Sequence, residues 1–187
     1  MTHQINSNWI WVVPFGRGSR FASHTNSVAQ AILGGWQLAG LVRWTTGFPM
    51  IVDNGSDWPT NWNIEGFGTQ ISSVPSSALG GGPGPNVFKN PSAVFAAFRQ
   101  AYPGESGTRN PLRGAGYFGL DTGLDKYFSL GGDRTLEFRW ETFNATNSVR
   151  FDVLTAGNRV DDFASFGKYT SMLTDPRVMQ FALRLEF

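Results

Sequence analysis

The last ten residues of the chain constrain its fold more than any other segment. From Val178 to Phe187 apolar and polar residues alternate, with Met179, Phe181, Leu183, Leu185 and Phe187 on one side and Gln180, Ala182, Arg184 and Glu186 on the other. Strict alternation predicts a β-strand with one apolar and one polar face. About 9 to 11 residues also suffice to cross a bilayer when a strand is tilted in a barrel. This segment therefore predicts a strand of an outer-membrane barrel.

The composition is typical of strands whose two faces differ. Hydrophobic residues make up 41% of the chain, yet its mean hydropathy is only −0.20. The 7 Trp and 4 Tyr residues are of the types that favour the interface between membrane and water. A net charge of +1 gives no long-range field that would attract nucleic acid, so we expect no nucleic-acid partner.

Alternating segments recur along the sequence and predict about five transmembrane strands. They are residues 4–15, 36–48, 117–130, 135–143 and 178–187. The predicted fold class is therefore all-β, with minor helices in loops, as an antiparallel transmembrane β-barrel segment of about five strands of a larger barrel. Lys126 breaks the alternation of the third segment, and we expect its amine to reach the membrane interface near the strand end.

Charged residues in these segments fall on the polar faces, which face the lumen in a barrel. They are Arg43, Asp121, Asp125, Glu137, Arg139, Glu141, Arg184 and Glu186. Such residues either line a path for a ligand or form pairs between neighbouring strands that hold the register. The second interpretation is favoured, because cross-strand pairing is the commoner use of charges on a barrel strand.

The connections between the predicted strands differ in length and fix an orientation. Gly131–Arg134 reads as a tight hairpin turn, and short turns of outer-membrane barrels lie in the periplasm. The chain would then end at the periplasmic side with Phe187. By the same count, residues 50–116 form one large external loop, and residues 16–35 lie inside.

Two short helices are predicted within the connections. Asn26 is a candidate N-cap for a helix that ends at Gly34 and lies along the inner interface. Pro91 follows Asn90 at the first position of a second helix, which includes the apolar residues up to Phe98.

Six short strings, in order along the chain, resemble the C-terminal end of Oar-like TonB-dependent outer-membrane transporters. They are PFGRG from Pro14, LGGWQLAG from Leu33, TGFP from Thr46, RNPLRGAG from Arg109, RWETFN from Arg139 and DPRVMQFAL from Asp175. The resemblance covers nearly the whole chain. It implies a bacterial outer-membrane location and a barrel of roughly 22 strands closed around an N-terminal plug.

The same resemblance implies the partners of the chain. They are outer-membrane lipid, the upstream strands and plug of the same full-length protein, TonB as the source of energy, and the barrel-assembly machinery. Phe187 resembles the terminal aromatic residue that this machinery reads as an assembly signal. Because Met1–Gln4 leads into alternating sequence without a signal peptide, we expect the chain to be a piece of a longer protein.

The external loop is the candidate ligand-binding region, since long surface loops often carry function. Trp58, Trp62 and Phe67 are its candidate substrate-capturing residues. A turn at Asp53–Asp57 supplies oxygen atoms for calcium, but it lacks EF-hand spacing, so an ordinary turn is favoured.

Catalysis is not expected from this sequence. His3 and His24 lie in different predicted elements without a Cys or acidic cluster at metal-ligand spacing, and no nucleophile motif occurs. We therefore expect no catalytic residue, metal site or cofactor. The alternative function is a soluble β-sandwich module that binds carbohydrate through exposed aromatic side chains.

Overall fold

The chain consists of two compact units in a computed structural model that describes residues 2–55, 66–81 and 84–187. The sheet unit comprises Ile5–Trp44, Phe118–Ser148 and Asp175–Phe187. The loop unit comprises Thr45–Tyr117 and Val149–Thr174, together with the first residues up to Gln4. The loop unit thus contains most of the two long connections between strands of the sheet unit.

Five long strands form one antiparallel sheet in the order β1-β2-β7-β8-β9. Their bounds are β1 Gln4–Val12, β2 Trp36–Thr45, β7 Tyr117–Gly131, β8 Arg134–Phe143 and β9 Val178–Glu186. Each long strand pairs with the next long strand along the chain, which makes the sheet a meander. The predicted fold class is confirmed.

Within the described part of the loop unit, four two-residue strands form two further antiparallel pairs. β3 Pro49–Met50 pairs with β6 Leu112–Arg113, and β4 Thr69–Gln70 pairs with β5 Phe98–Arg99. β2 ends at Thr45 rather than at residue 48 because the chain then turns towards β6, where the Gly114 N–H donates to the Phe48 carbonyl. β1 ends at Val12 rather than at residue 15, since Phe15 pairs instead with Phe21.

The register gives the sheet two faces of different chemistry. Trp140 of β8 lies opposite Leu124 of β7 and Phe181 of β9, and its ring centroid is 5.9 Å from that of Phe181. The neighbouring Arg139 points to the other face, where it lies opposite Asp125. On the apolar face the Trp9 ring also covers Gly40, where no room remains for a Cβ atom.

Burial is distributed in opposite ways in the two units. Every buried apolar side chain among the described residues belongs to the loop unit, with Val52, Phe88, Val94 and Phe166 at its centre. In the sheet unit the buried side chains are polar, namely Asp125, Lys126, Glu137 and Thr142. Large apolar side chains such as Phe181 and Leu183 are exposed there, at 65% and 72%. A protein in water has the reverse arrangement.

Where the structure describes the connections, they contain two α-helices and two 3-10 helices. α1 Ser27–Leu33 is capped by Asn26, whose side chain accepts a hydrogen bond of 2.8 Å from the Ala29 N–H. α2 Pro91–Phe95 is capped by Asn90, and the 3-10 helices are Ser76–Ala78 and Val153–Thr155. None of the helices in the described residues has the length and apolar character needed to span a membrane.

The prediction that the second helix extends to Phe98 was wrong. α2 ends at Phe95, and Phe98 belongs to β5. Phe98 is 6% exposed and faces the core, which the pairing of β5 with β4 makes possible. Tertiary contacts therefore override the local helix preference of the alanine-rich segment.

The two long connections share one hydrophobic core. Phe88 and Val94 from Thr45–Tyr117 pack with Phe166 from Val149–Thr174. The Phe166 ring centroid lies 5.5 Å from that of Phe88 and 5.1 Å from that of Phe95. The sequence predicted a single external loop at residues 50–116 and gave no sign that the later connection folds with it.

Candidate functional site

The eight charged residues predicted on the polar faces lie on one face of the sheet. The strand register places Asp125 opposite Arg139, Glu137 opposite Arg184, and Glu141 opposite Gln180, while Arg43 reaches Asp121. Glu186 lies opposite Thr135 on the same face. This shared face is called the charged face below.

Arg139 is the centre of the charged face. Its Nε lies 3.1 Å from Asp125 Oδ1 and its Nη2 lies 2.7 Å from Glu137 Oε1. The Tyr127 hydroxyl, 3.4 Å from Glu137 Oε1, donates to the same carboxylate. Asp125 and Glu137 are buried, at 8% and 5% exposure. One guanidinium therefore compensates two carboxylates that have lost most of their water, which makes Arg139 hard to replace.

The remaining charges form more exposed pairs. Arg43 Nη2 lies 2.6 Å from Asp121 Oδ2, and Asp121 Oδ1 accepts a second hydrogen bond of 2.8 Å from the Asn144 N–H. Gln180 donates to Glu141 between β8 and β9. These contacts join neighbouring strands, as the cross-strand interpretation of these charges expects.

A groove of about 530 Å³ lies on the charged face across four strands. Its lining side chains include Asn8, Ile10, Leu41, Asp121, Glu141 and Phe143. Carboxylates and apolar groups are interleaved along it.

Lys126 is buried against the end of α1. It is 2% exposed, and its ammonium donates to the Gly34 carbonyl, so its predicted position at the membrane interface stays a prediction. The ammonium also lies 5.2 Å from the ring centroid of Trp36 and 4.9 Å from that of Phe128. The backbone carbonyl and the aromatic rings take the place of water.

The predicted substrate-capturing residues of the external loop are only partly described. Trp58 and Trp62 lie outside the described residues. Phe67 is half-buried and its backbone pairs with Asp53. In the turn that begins at Asp53, where an ordinary turn was favoured over a calcium site, the Asn54 side chain is 2% exposed and accepts a hydrogen bond from the Ala101 N–H. No cluster of His, Asp and Glu suited to a metal ion occurs within the described residues.

A charged cluster in the loop unit was missed by the sequence analysis. Glu105 accepts two hydrogen bonds from the Arg99 guanidinium, of 2.7 and 2.9 Å, and further bonds from the Tyr102 N–H and the Thr69 hydroxyl. These hydrogen bonds, led by those from Arg99, lower the pKa of Glu105 to about 2. The Arg99 guanidinium also lies 3.8 Å from the centroid of the Tyr102 ring, which is 60% exposed.

Asn144 fixes the start of the β8–β9 connection. It has a positive φ of 50°, and its Nδ2 donates to the carbonyls of Ser148 and Asp175, each at 3.0 Å. Its Oδ1 accepts from the Ser148 N–H at 2.8 Å. Asparagine tolerates this left-handed conformation better than most residues. The asparagines of the sequence ETFNATN were the only signal that could have identified these hydrogen bonds of Asn144.

Phe187 is 95% exposed at the end of the chain. A side chain with so little packing contributes almost nothing to the stability of the sheet. Substitution of Phe187 can therefore test its predicted role as an assembly signal without destabilising the sheet.

A family model described as "Outer membrane beta barrel domain" matches residues 1–180. Searches of curated proteins and of solved structures gave no match. The match spans both long connections and four of the five long strands completely.

Proposed function

This chain belongs to the outer membrane beta barrel domain family, and we propose that within this family it is part of a TonB-dependent transporter of the Oar-like kind. Its location is the bacterial outer membrane, and its sheet is part of a membrane barrel wall. The finer proposal rests on the six strings that resemble the Oar-like transporters.

The inverted burial of the sheet unit is the observation that carries the function as barrel wall. Exposed Trp11, Phe181 and Leu183 suit hydrocarbon, whereas the buried Asp125 and Glu137 suit a polar interior. The apolar face is therefore the lipid-facing surface, and the charged face is the lumen-facing surface. The soluble β-sandwich alternative has less support, because its outer faces would be polar.

The edges of the sheet support the proposal of further strands. β1 and β9 each pair with a single long strand among the described residues. Open edges in hydrocarbon leave backbone N–H and carbonyl groups without partners, which costs several kcal/mol per group. We infer that upstream strands of the same full-length protein pair with both edges.

The charged face and its groove support the proposal of an internal plug. Asp121 and Glu141 line the groove, and both already have partners on neighbouring strands. Asp121 is paired with the Arg43 cation, and Glu141 accepts a hydrogen bond from Gln180. The groove therefore offers a polar surface with engaged carboxylates rather than the unpaired ring of like charges that selects ions in open pores. Such a surface suits contact with a folded plug of the same protein.

The loop unit supports the proposal of substrate capture at the cell surface. Its shared core gives Thr45–Tyr117 and Val149–Thr174 a defined structure, which long loops without a core lack. Large apolar side chains remain exposed on it, including Tyr102 at 60%, Phe163 at 51% and Leu154 at 88%. Rigid loops with exposed aromatic side chains are suited to binding.

The transporter proposal is tested by conductance and by binding of TonB. The full-length protein is placed in a planar bilayer bathed in KCl, and its affinity for the purified periplasmic domain of TonB is measured in vesicles. A plugged transporter stays closed to KCl and binds the domain, whereas removal of the plug opens the barrel. A full-length protein that conducts KCl freely and does not bind the domain is a porin and contradicts the proposal.

The proposed role of the loop unit needs a separate test. Replacing both Thr45–Tyr117 and Val149–Thr174 by short linkers removes the whole core. Deleting residues 55–107 alone would instead leave the Phe166 side chain exposed to water. We expect the double replacement to abolish uptake in cells that depend on the transporter, while the protein still assembles as a heat-modifiable barrel. Unchanged uptake would refute substrate capture by this unit.

A further inference from the structure

The connection between β1 and β2, residues 13–35, packs as a unit against the hairpin end of the sheet. Arg17 ties the loop to α1, since its N–H donates to Gln30 Oε1 at 2.6 Å and its Nη2 donates to Ser27 Oγ at 3.1 Å. The Tyr127 N–H donates to the Gly35 carbonyl at 2.8 Å, close to the turn that follows Gly131. Short turns mark the periplasmic end of an outer-membrane barrel, so the connection lies at that end.

α1 lies on the lipid-facing side of the sheet at this end. The Trp36 indole N–H donates to the Ile32 carbonyl at 2.7 Å, and the Lys126 ammonium donates to the Gly34 carbonyl. Trp36 and Lys126 both belong to the apolar face, because the Lys126 ammonium lies near the Trp36 ring and Lys126 is the register partner of Phe138. The helix therefore continues the lipid-facing surface towards the periplasm.

The outer side of α1 is apolar and uncovered. Val28 and Ile32, one turn apart on the same side, are 70% and 63% exposed. Gln30 lies on the opposite side, where it contacts Arg17. A helix of seven residues is marginal in water by itself. An apolar surface in contact with the exposed pair would supply the missing burial.

The charge of this connection is complementary to a phosphate-rich surface. Residues 13–35 contain Arg17, Arg20 and His24 and no Asp or Glu, whereas residues 46–116 hold acidic and basic residues in equal number. Arg17 and Arg20 are exposed, and Phe21, 48% exposed, lies beneath the Arg20 guanidinium at 5.6 Å. Basic and apolar groups side by side are typical of a segment that lies in a membrane interface.

We propose that residues 13–35 dock on the periplasmic leaflet of the outer membrane and bind anionic phospholipid headgroups. Arg17 and Arg20 contact the headgroup phosphates, and Val28 and Ile32 enter the boundary between headgroups and acyl chains. Continuity with the lipid-facing side of the sheet selects lipid over a periplasmic protein as the occupant. The inference goes beyond transport and holds for any barrel built on this sheet.

Depth measurement by spin labelling tests the position of α1. The chain has no cysteine, so Val28→Cys or Ile32→Cys gives one labelling site within it, once any cysteine elsewhere in the full-length protein is replaced. Asp133→Cys, in the exposed turn at the same end, is the matched control. In phosphatidylglycerol-containing vesicles, we expect the Val28 and Ile32 labels to collide preferentially with oxygen and the Asp133 label with a water-soluble nickel chelate. Equal nickel accessibility at all three positions would overturn the proposal.

Headgroup recognition is tested with the Ile32 label in two lipid compositions. In vesicles of phosphatidylcholine mixed with phosphatidylglycerol, we expect Arg17→Gln and Arg20→Gln each to lower the ratio of docked to undocked helix by roughly fivefold. Arg134→Gln, at the same end of the sheet, should leave the ratio unchanged. In pure phosphatidylcholine the two variants should match the parent protein. Docking that ignores both the lipid composition and the two arginines contradicts binding of anionic headgroups.

Discussion

Substitution of Phe166 by alanine tests whether the two long connections fold as one unit. Phe166 is 1% exposed, and its ring contacts those of Phe88 and Phe95. Phe88 and Phe95 belong to Thr45–Tyr117, whereas Phe166 belongs to Val149–Thr174. Removing the Phe166 ring therefore leaves a cavity beside Phe88 and Phe95 of the other connection.

The expected cost follows from core substitutions of this kind. Phe to Ala in a packed core lowers the free energy of unfolding by about 3 to 5 kcal/mol, and every 1.4 kcal/mol changes an equilibrium roughly tenfold. The population of the opened loop unit should thus rise by roughly a hundredfold or more. If opening and closing are fast relative to cleavage, the rate of proteolysis rises by the same factor.

The assay is limited proteolysis of the full-length protein in vesicles, with each cleavage site identified by mass spectrometry. Phe166→Ala should accelerate cleavage within Thr45–Tyr117 as well as within Val149–Thr174. Leu154→Ala is the matched control, because Leu154 lies in the same segment at 88% exposure and should change the rate little. Accelerated cleavage that stays within Val149–Thr174 would refute the shared core.

Three further predictions concern the charged face, the loop unit and the chain end. Arg139→Leu leaves the buried carboxylates of Asp125 and Glu137 without their cation. Urea unfolding in vesicles should show that the free energy of unfolding falls by about 3 kcal/mol or more. The exposed control Arg184→Leu should lower it by under about 1 kcal/mol. The pKa of Glu105 is lowered to about 2, so its ionised carboxylate stabilises the loop unit above the ordinary carboxyl pKa of 4.5. This stabilisation is lost as the pH falls from 4.5 towards about 2, and pepsin cleavage should therefore rise over that range. A Glu105→Gln variant should lack this pH dependence. Phe187→Ala should lower the yield of assembled barrel in cells without changing the melting temperature of the assembled fraction, and an unchanged yield would contradict a role in assembly.

The long strands were predictable because their signal is local. A period of two residues identifies a strand with two different faces, and parity along the strand assigns each side chain to one of them. Arg139 and Trp140 therefore fall on opposite faces without any knowledge of the register. Their partners require the register, which the tight turn after Gly131 sets between β7 and β8.

The loop unit was not predictable because its contacts are distant in sequence. Phe88 and Phe166 meet across two separate connections, and neither segment has a periodic pattern that points to the other. Phe98 lies in an apolar run that favours a helix locally, but its pairing in β5 decides its conformation. The partner of Lys126 is a backbone carbonyl, and the side-chain pattern carries no information about it.

The two units draw their stability from different sources. The loop unit buries Val52, Phe88 and Phe166 within itself, so the hydrophobic effect stabilises it in water. The sheet unit buries Asp125 and Glu137 and exposes its apolar side chains, so it needs a surrounding apolar phase and the pairing of its edges. A detergent that replaces the bilayer poorly therefore destabilises the sheet first, while the loop unit keeps its own core. This separation allows the two long connections to vary in sequence without altering the forces that hold the barrel wall together.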